Sequence, residues 1–471
     1  MRGPRESLWK ERAPMATTEK KRVPKKLNPL RVVIAEEAPA ARAYEPIEVL
    51  HPYTRQEAVE EAQRCLYCAK PWCVEACPLG QDCREYVMKI GEGDFDGAAA
   101  LILRDNPLAS TLARVCYHYC EDSCVVAKKG APVAVRHLKR AALEFGDSRK
   151  PYAREAPKAG RVAVVGAGPA GLMVAWQLAR KGYAVTVYEA KDILGGLVTL
   201  TIPPYRLPRE AFEEDVERMR DLGIQFETNV RLGKDVTLED LRKRYDAVFL
   251  GIGTHKPQTV QVPGMDLAGV FVALPLLEDA MRGRQVRIGE RVAVIGGGDV
   301  AMDSARMALR LGANEVTVVY RRSRAEMPAS PEEAAEAEAE GVRFEFLVAP
   351  LRIEGEGGRV RRLVCQRMEL GPPDESGRRR PVPIPGSEYA MSVDAVVLAI
   401  GQVADITGIP NAQEFGIAVD KEGIVAGLDP SGRTKLEDVF VGGGTSVVHA
   451  LAAGKRAAAV IEERLMAIGK A

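Results

Sequence analysis

Between residues 161 and 190, RVAVVGAGPAGLMVAWQLARKGYAVTVYEA, the hydrophobic positions change rhythm twice. A short apolar run meets glycines, gives way to apolar positions three and four apart, and returns as a second apolar run ending in an acid. That order predicts strand, turn, helix and strand. Gly166, Gly168 and Gly171 stand where the first strand must become the helix. The first permits a tight turn, the second lets backbone approach a pyrophosphate, and the third lets helix and strand pack closely. The helix N-terminus offers unpaired N–H groups to phosphate. Glu189 stands where a carboxylate accepts from a ribose hydroxyl. The stretch is expected to bind a dinucleotide.

The same rhythm returns at 291–323, with Gly296, Gly298 and Ala301 at the three turn positions. Aligning the closing strands sets Arg321 opposite Glu189, followed at once by Arg322. A guanidinium there suits a 2'-phosphate, which a carboxylate would repel. The first site is therefore read as FAD and the second as NADPH. The strand DAVFLGIG (246–253) and its echo DAVVLAIG (394–401) bracket the second unit as an insertion. Residues 434–465 read as a strand, a glycine turn and a long amphipathic helix that complete the FAD domain.

Shorter patterns fill the rest. Gly195 and Gly196 let the backbone run close to a ligand. Thr54 and Glu57 form a capping box for a helix over 53–61. Further helices are expected over 93–109, ending before Pro107, and over 133–145 and 210–222. PEEAAEAEAEG (331–341) predicts a helix with a solvated acidic face, and GEGGRV (355–360) a hairpin turn.

Eight of the nine cysteines crowd between residues 65 and 124. Cys65, Cys68, Cys73 and Cys77 follow C-x2-C-x4-C-x3-C-P spacing, and Cys116, Cys120 and Cys124 follow C-x3-C-x3-C. Zinc sites usually come as two separated C-x2-C pairs, whereas a run ending in Cys-Pro is the ferredoxin manner of holding a 4Fe-4S cube. Seven thiolates imply two cubes. In such runs the cysteine before proline serves the other cluster. Cys65, Cys68 and Cys73 are thus assigned to one cube, completed by Cys124, and Cys77, Cys116 and Cys120 to the other. The second cube lacks a ligand, with Cys83, His118, His137 or a non-cysteine group on the 133–145 helix as candidates. Cys83 is read as a packed thiol near the cluster, and Cys365 as core.

Composition sharpens this picture by exclusion. A formal charge of +1 over 471 residues argues against nucleic-acid binding. No apolar run is long enough for membrane insertion and no signal series opens the chain, so a cytoplasmic location is expected. Residues 1–34 hold ten Lys or Arg against three Glu. They are read as a flexible basic arm, and Met15 is an alternative start. The expected fold class is α/β: two Rossmann-like dinucleotide-binding domains, the second inserted in the first, preceded by an α-helical iron-sulfur domain. The boundaries are arm 1–34, cluster domain 35–155, FAD domain 156–282 and 402–471, and NADPH domain 283–401.

The two cysteine blocks, IPPYRLP (202–208), GGGDVAMDSAR (296–306) and VVYRRS (318–323) together resemble one family. It is that of the small, electron-input subunit of NADPH-dependent glutamate synthase. Its wider members include the NADPH-binding subunit of bifurcating ferredoxin oxidoreductases and the N-terminal half of dihydropyrimidine dehydrogenase. The resemblance implies FAD contact for Leu197 and Arg206, and NADPH contact for Gly297, Gly298, Asp299, Arg321, Arg322 and Gly401. The chain departs from the family twice. Lys139 replaces the acid that many members carry, and Gly443-Gly444 replaces a closing Gly-Asp, leaving backbone N–H groups or Thr445 to hold the flavin chain.

NADPH yields two electrons as a hydride and a cube takes one at a time, so a flavin must stand between them. No catalytic acid or base is needed. The implied partner is a larger catalytic subunit resembling the glutamate synthase large subunit, or ferredoxin. Two other readings are a bifurcating-type NAD(P)H:ferredoxin oxidoreductase and a flavoprotein with a zinc-stapled interaction module.

Overall fold

The computed structural model describes residues 28–259, 262–374 and 377–469. Two parallel sheets carry the α/β part. The first has the order Val439–Val441, Ala247–Leu250, Arg161–Val165, Ala184–Tyr188 and Gln225–Glu227. Its register sets Val165 beside both Tyr188 and Leu250, so the carboxyl ends of the central strands lie level. The strand order reverses beside Arg161–Val165, and open α/β sheets bind ligands at such a switch point. Val439–Val441 comes from the far end of the chain, so residues past 402 do close the first sheet.

The second sheet repeats the plan with Val270–Val272, Ala395–Leu398, Arg291–Ile295, Glu315–Tyr320 and Arg343–Phe346. It begins upstream of the expected boundary at 283. Val270–Val272 is a three-residue, half-buried edge strand, too short to register as a period in sequence. Beyond it, Val348–Glu356, Arg359–Pro373 and Arg379–Ser392 form an antiparallel sheet. The expected hairpin turn is there, with Gly357 and Gly358 at φ +57° and +76°. The third strand of this sheet is largely exposed and rich in proline and arginine, so it carries no apolar signal.

The cysteine-bearing segment is helical. Arg55–Ala62, Cys83–Gly91, Phe95–Asp105, Ala109–Val115 and Val135–Phe145 pack around Tyr86, Ile90, Ile102 and Leu138. Thr54 and Glu57 make the anticipated capping box. The basic arm is corrected at its end: from residue 28 the chain lies on this domain. Arg31 reaches the buried Glu121 at 2.6 Å and the Val32 N–H donates to Glu61 at 2.8 Å. Residues 1–27 lie outside the described residues.

The acidic helix Pro331–Ala339 also departs from expectation, because its carboxylates are clamps rather than a solvated face. Glu332 pairs with Arg136 at 2.9 Å and His118 at 3.2 Å. Glu333 holds Arg206 and Arg306, while Glu336 pairs with the buried Arg42. The helix thus ties the NADPH-type domain to both others. A second tie crosses elsewhere: the fully buried Asp215 accepts from the Ser110 and Thr111 N–H groups at 2.9 and 2.8 Å, capping a helix of the cysteine domain. Among the described residues no helix is long and apolar enough to cross a membrane.

Candidate functional site

One cavity of about 1860 Å³ runs between the two parallel sheets. Pockets for single small ligands are typically about 300–1,000 Å³, so this one is large enough for two dinucleotides. Every proposed cofactor residue lines it except Gly171 and Ala301. Those two lie behind the turns, where the packing role was expected.

The first turn shows why each glycine stands where it does. Gly166 has φ +100°, and a Cβ there would meet the Gly251 oxygen at 2.2 Å. At Gly171 a Cβ would meet the Gly166 oxygen at 2.0 Å. A Cβ on Gly168 would meet nothing within 4 Å. Its exposed backbone faces the cavity at the start of the helix Pro169–Arg180, which is the cradle a pyrophosphate requires. Glu189 accepts from the Ala167 and Lys191 N–H groups, each at 2.9 Å, which fixes its carboxylate at the rim. These residues fit a dinucleotide with a free ribose hydroxyl. Gly196 (φ +57°) approaches the same turn, a Cβ there lying 3.4 Å from the Gly168 Cα. Leu197 begins a short helix along the wall. Gly443, Gly444 and Thr445 border the opposite side, where a Cβ on Gly444 would strike the Ala450 nitrogen at 2.4 Å.

The second turn is built alike with different neighbours. A Cβ at Gly296 would meet the Ala399 oxygen at 2.1 Å, and one at Gly297 would enter the Tyr320 ring at 2.5 Å. Gly298 is open apart from Pro328 at 3.9 Å, so it again leaves room for phosphate. Asp299 opens the helix Asp299–Arg310, accepts from the Ser330 N–H at 2.9 Å, and is pushed up to about 7 by burial. Gly401 (φ +119°) packs against Gln258. Arg321 is exposed at the rim, with Arg378 close by. Arg322 is buried, with its guanidinium on Asp374 at 2.6 Å and the Arg379 carbonyl at 2.8 Å. Of the expected arginine pair, Arg321 is thus the exposed one and Arg322 the one held in an ion pair.

Arg206 also borders the cavity, but its Nη1 donates to both Asp303 oxygens, at 2.9 and 2.8 Å, and its Nε lies 2.8 Å from Glu333. It bolts the two nucleotide domains together, and this ion pair fixes its guanidinium at the cavity wall. Sequence reasoning missed His255, which is packed beside Gly196 and Gly253. It also missed Arg378, which lies in the connection between the last two strands of the antiparallel sheet.

The thiols resolve into two groups. Cys65, Cys68, Cys73 and Cys124 sit close enough to feel one another electrostatically. Burial lifts the Cys65 thiol to about 11 and Cys73 to about 12, so holding them as thiolates takes a cationic core. Cys77, Cys116 and Cys120 line a second, smaller cavity with Cys83 and Lys139. Among the described residues no three His, Cys, Asp or Glu side chains converge on a single-ion position. A four-iron cube takes one thiolate at each iron corner instead, and two clusters of thiols suit that donor set.

The two cavities share walls. Val115, Tyr117 and Tyr119 line the large one, while Cys116, His118, Tyr119 and Cys120 line the small one. Val447 and Val448, at the start of the C-terminal helix, border the large and small cavity respectively.

Comparison with known proteins agrees with this arrangement. The pattern of pyridine nucleotide-disulphide oxidoreductases matches residues 160–462, and that of dihydropyrimidine dehydrogenase domain II, 4Fe-4S cluster, matches residues 42–150. The chain is 42% identical over 426 residues to the NADP(+)-dependent formate dehydrogenase subunit beta of Moorella thermoacetica, covering 83% of this chain and 60% of that protein. It is 36% identical over 448 residues to the glutamate synthase (NADPH) small chain of Escherichia coli K12, covering 88% of this chain and 93% of that one. The fold alone is shared with Mycobacterium tuberculosis FprA in complex with NADPH, at 21% identity and a TM-score of 0.55, covering 66% of this chain and 86% of FprA. The chain belongs to the pyridine nucleotide-disulphide oxidoreductase family and is related to the glutamate synthase small chain.

Proposed function

We propose that the chain is an electron-input subunit with two 4Fe-4S clusters, serving a larger catalytic subunit like that of glutamate synthase. The observation that carries this reading is the shared wall. The segment Val115–Cys120 borders the dinucleotide cavity with Val115, Tyr117 and Tyr119 and supplies Cys116 and Cys120 to the inner thiol group. When bound, the flavin converts a two-electron hydride into the single electrons an iron-sulfur cube accepts. The protein's part is placement. Gly166, Gly168, Glu189 and Gly196 hold one dinucleotide, with Leu197 on the same wall and the Gly443-Gly444-Thr445 turn opposite. Gly296, Gly297, Gly298, Asp299 and Gly401 hold the other, and Arg321 selects a 2'-phosphate. Arg206, Asp303 and Glu333 fix the angle between the domains. The inner thiols stand beside the flavin side of the cavity, and the outer thiols beyond them. Leu66 and Trp72, 44% and 46% exposed, flank the outer group, where electrons would leave.

A thiol-disulfide reductase is disfavoured, because the NADPH-type domain holds only Cys365, which is buried on a β-strand. The E. coli small chain is covered almost end to end, which favours the glutamate synthase partner. The formate dehydrogenase subunit has two fifths of its length outside the match, and that similarity favours ferredoxin or another acceptor as the second reading. Two assays separate them. With NADPH, glutamine and 2-oxoglutarate, the chain should make glutamate only when a glutamate synthase large subunit is added. Glutamate from the chain alone, or ferredoxin reduction with no response to the large subunit, contradicts the proposal. Arg321→Glu should lower the preference for NADPH over NADH by about tenfold to a hundredfold; unchanged preference removes Arg321 from the site.

A further inference from the structure

The sequence leaves the inner cluster one ligand short. The family position on the helix Val135–Phe145 offers Lys139, an ammonium that cannot ligate while protonated; of the histidine candidates, only His118 borders the inner cavity, and it is engaged with Glu332. His118 points Nε2 at Glu332 at 3.2 Å, with Nδ1 4.0 Å from Glu121. His137 is buried against the Tyr53 ring, at a centroid distance of 6.0 Å, and does not line the inner cavity.

Cys83 does line it. It is 2% exposed at the start of the helix Cys83–Gly91. Its thiol shares the small cavity with those of Cys77 and Cys120, close enough to act on both electrostatically, and lies 3.5 Å from the Gln81 carbonyl oxygen. Asp82 caps the helix by accepting the Glu85 N–H at 3.0 Å, which fixes the first turn and the direction in which Cys83 leaves it.

An independent observation points to an anionic group at the same place. Lys139 is 6% exposed, and its Nζ donates to Gln81 Oε1 at 2.9 Å. Gln81, itself 1% exposed, is held by its Nε2 on the Ile102 carbonyl at 3.1 Å. Among the described residues no carboxylate lies within ion-pair distance of Lys139. A buried ammonium without a counter-charge is costly, and the thiols of Cys77, Cys83, Cys116 and Cys120 are what it faces. A cube held by four thiolates carries net negative charge and supplies the missing partner.

Resting on the two-cluster reading above, we infer that Cys83 is the fourth ligand of the inner cluster, making an all-cysteine cube with Cys77, Cys116 and Cys120 and with Lys139 as its buried counter-charge. Ligation forms one Fe–S bond and releases the Cys83 thiol proton. Eight of the nine cysteines then divide into two sets of four, and Cys365 remains outside both.

The test uses the full chain with its clusters reconstituted anaerobically. Wild-type protein with about eight irons and two reduced-state EPR signals establishes the two-cluster reading; about four irons and one signal in wild type overturns that reading and this inference together. Given two wild-type clusters, Cys83→Ala should lose or convert one cube, with one EPR signal altered and the other unchanged. Cys83→Ser, retaining an oxygen ligand, should shift that same signal with less loss of iron. Flavin content and the untouched outer signal report that each variant is folded, and Cys365→Ala should leave both signals as in wild type. Full iron with both signals unchanged in Cys83→Ala overturns the assignment.

Discussion

The two thiol groups arise from one stretch of sixty residues, yet they sit in different surroundings. Cys65, Cys68, Cys73 and Cys124 are all partly exposed and share their loop with Leu66 and Trp72. In the inner group Cys83 and Cys120 are buried, a lysine is buried with them, and the wall is shared with the dinucleotide cavity. One group borders the dinucleotide cavity and the other is the more exposed. On the proposed reading, cysteine spacing gives two clusters and the packing of Val115–Cys120 against the C-terminal helix gives their order.

Removing a ligand from each group in turn breaks that comparison most sharply. Cys116→Ala should leave flavin reduction by NADPH intact, seen as bleaching of the flavin band, while abolishing reduction of the outer cluster and of any partner. Cys124→Ala should do the reverse, with the inner cluster still reduced by NADPH and delivery to the partner lost. Equal loss of both signals in either variant contradicts the order.

Smaller changes sharpen the contrast in environment. Lys139→Met removes a charge from the inner site only. A unit charge roughly 8 Å away, at an effective dielectric of about 20, contributes about 2 kcal/mol. The inner midpoint potential should therefore fall, and the outer stay put, in an EPR-monitored redox titration. Trp72→Ala acts at the outer end. Removing an exposed aromatic from a contact surface costs about 1–2 kcal/mol when it anchors a partner, so the partner concentration needed for half-maximal turnover should rise about tenfold without change in NADPH-driven flavin reduction.

The nucleotide turns were legible because their chemistry is local. In the first turn three glycines lie within six positions: a Cβ at Gly166 or Gly171 would strike a backbone oxygen, and Gly168 is left open to the cavity. Glu189 and Arg321 stood out for the same reason, each directly following an apolar strand. What escaped depends on partners far away in sequence. The acidic run at 331–341 looks like a solvated face until Arg42, Arg136, Arg206 and Arg306 arrive from three domains. Arg322 looks like a phosphate ligand until Asp374 claims it. Cys83 was legible only as one candidate among several, because it lies outside both spaced blocks and the fold of Asp82–Gly91 is what brings it to Cys77 and Cys120. The sheet of residues 348–392 escaped because half of it is solvent-exposed and polar.

The most direct test of the electron path is iron and acid-labile sulfide per chain on anaerobic protein, with visible spectra before and after NADPH. The account predicts about eight irons and a broad iron-sulfur absorbance that NADPH bleaches along with the flavin. Zinc in place of iron, or clusters that NADPH cannot reduce while the flavin bleaches, would contradict it and make the cysteine domain a scaffold.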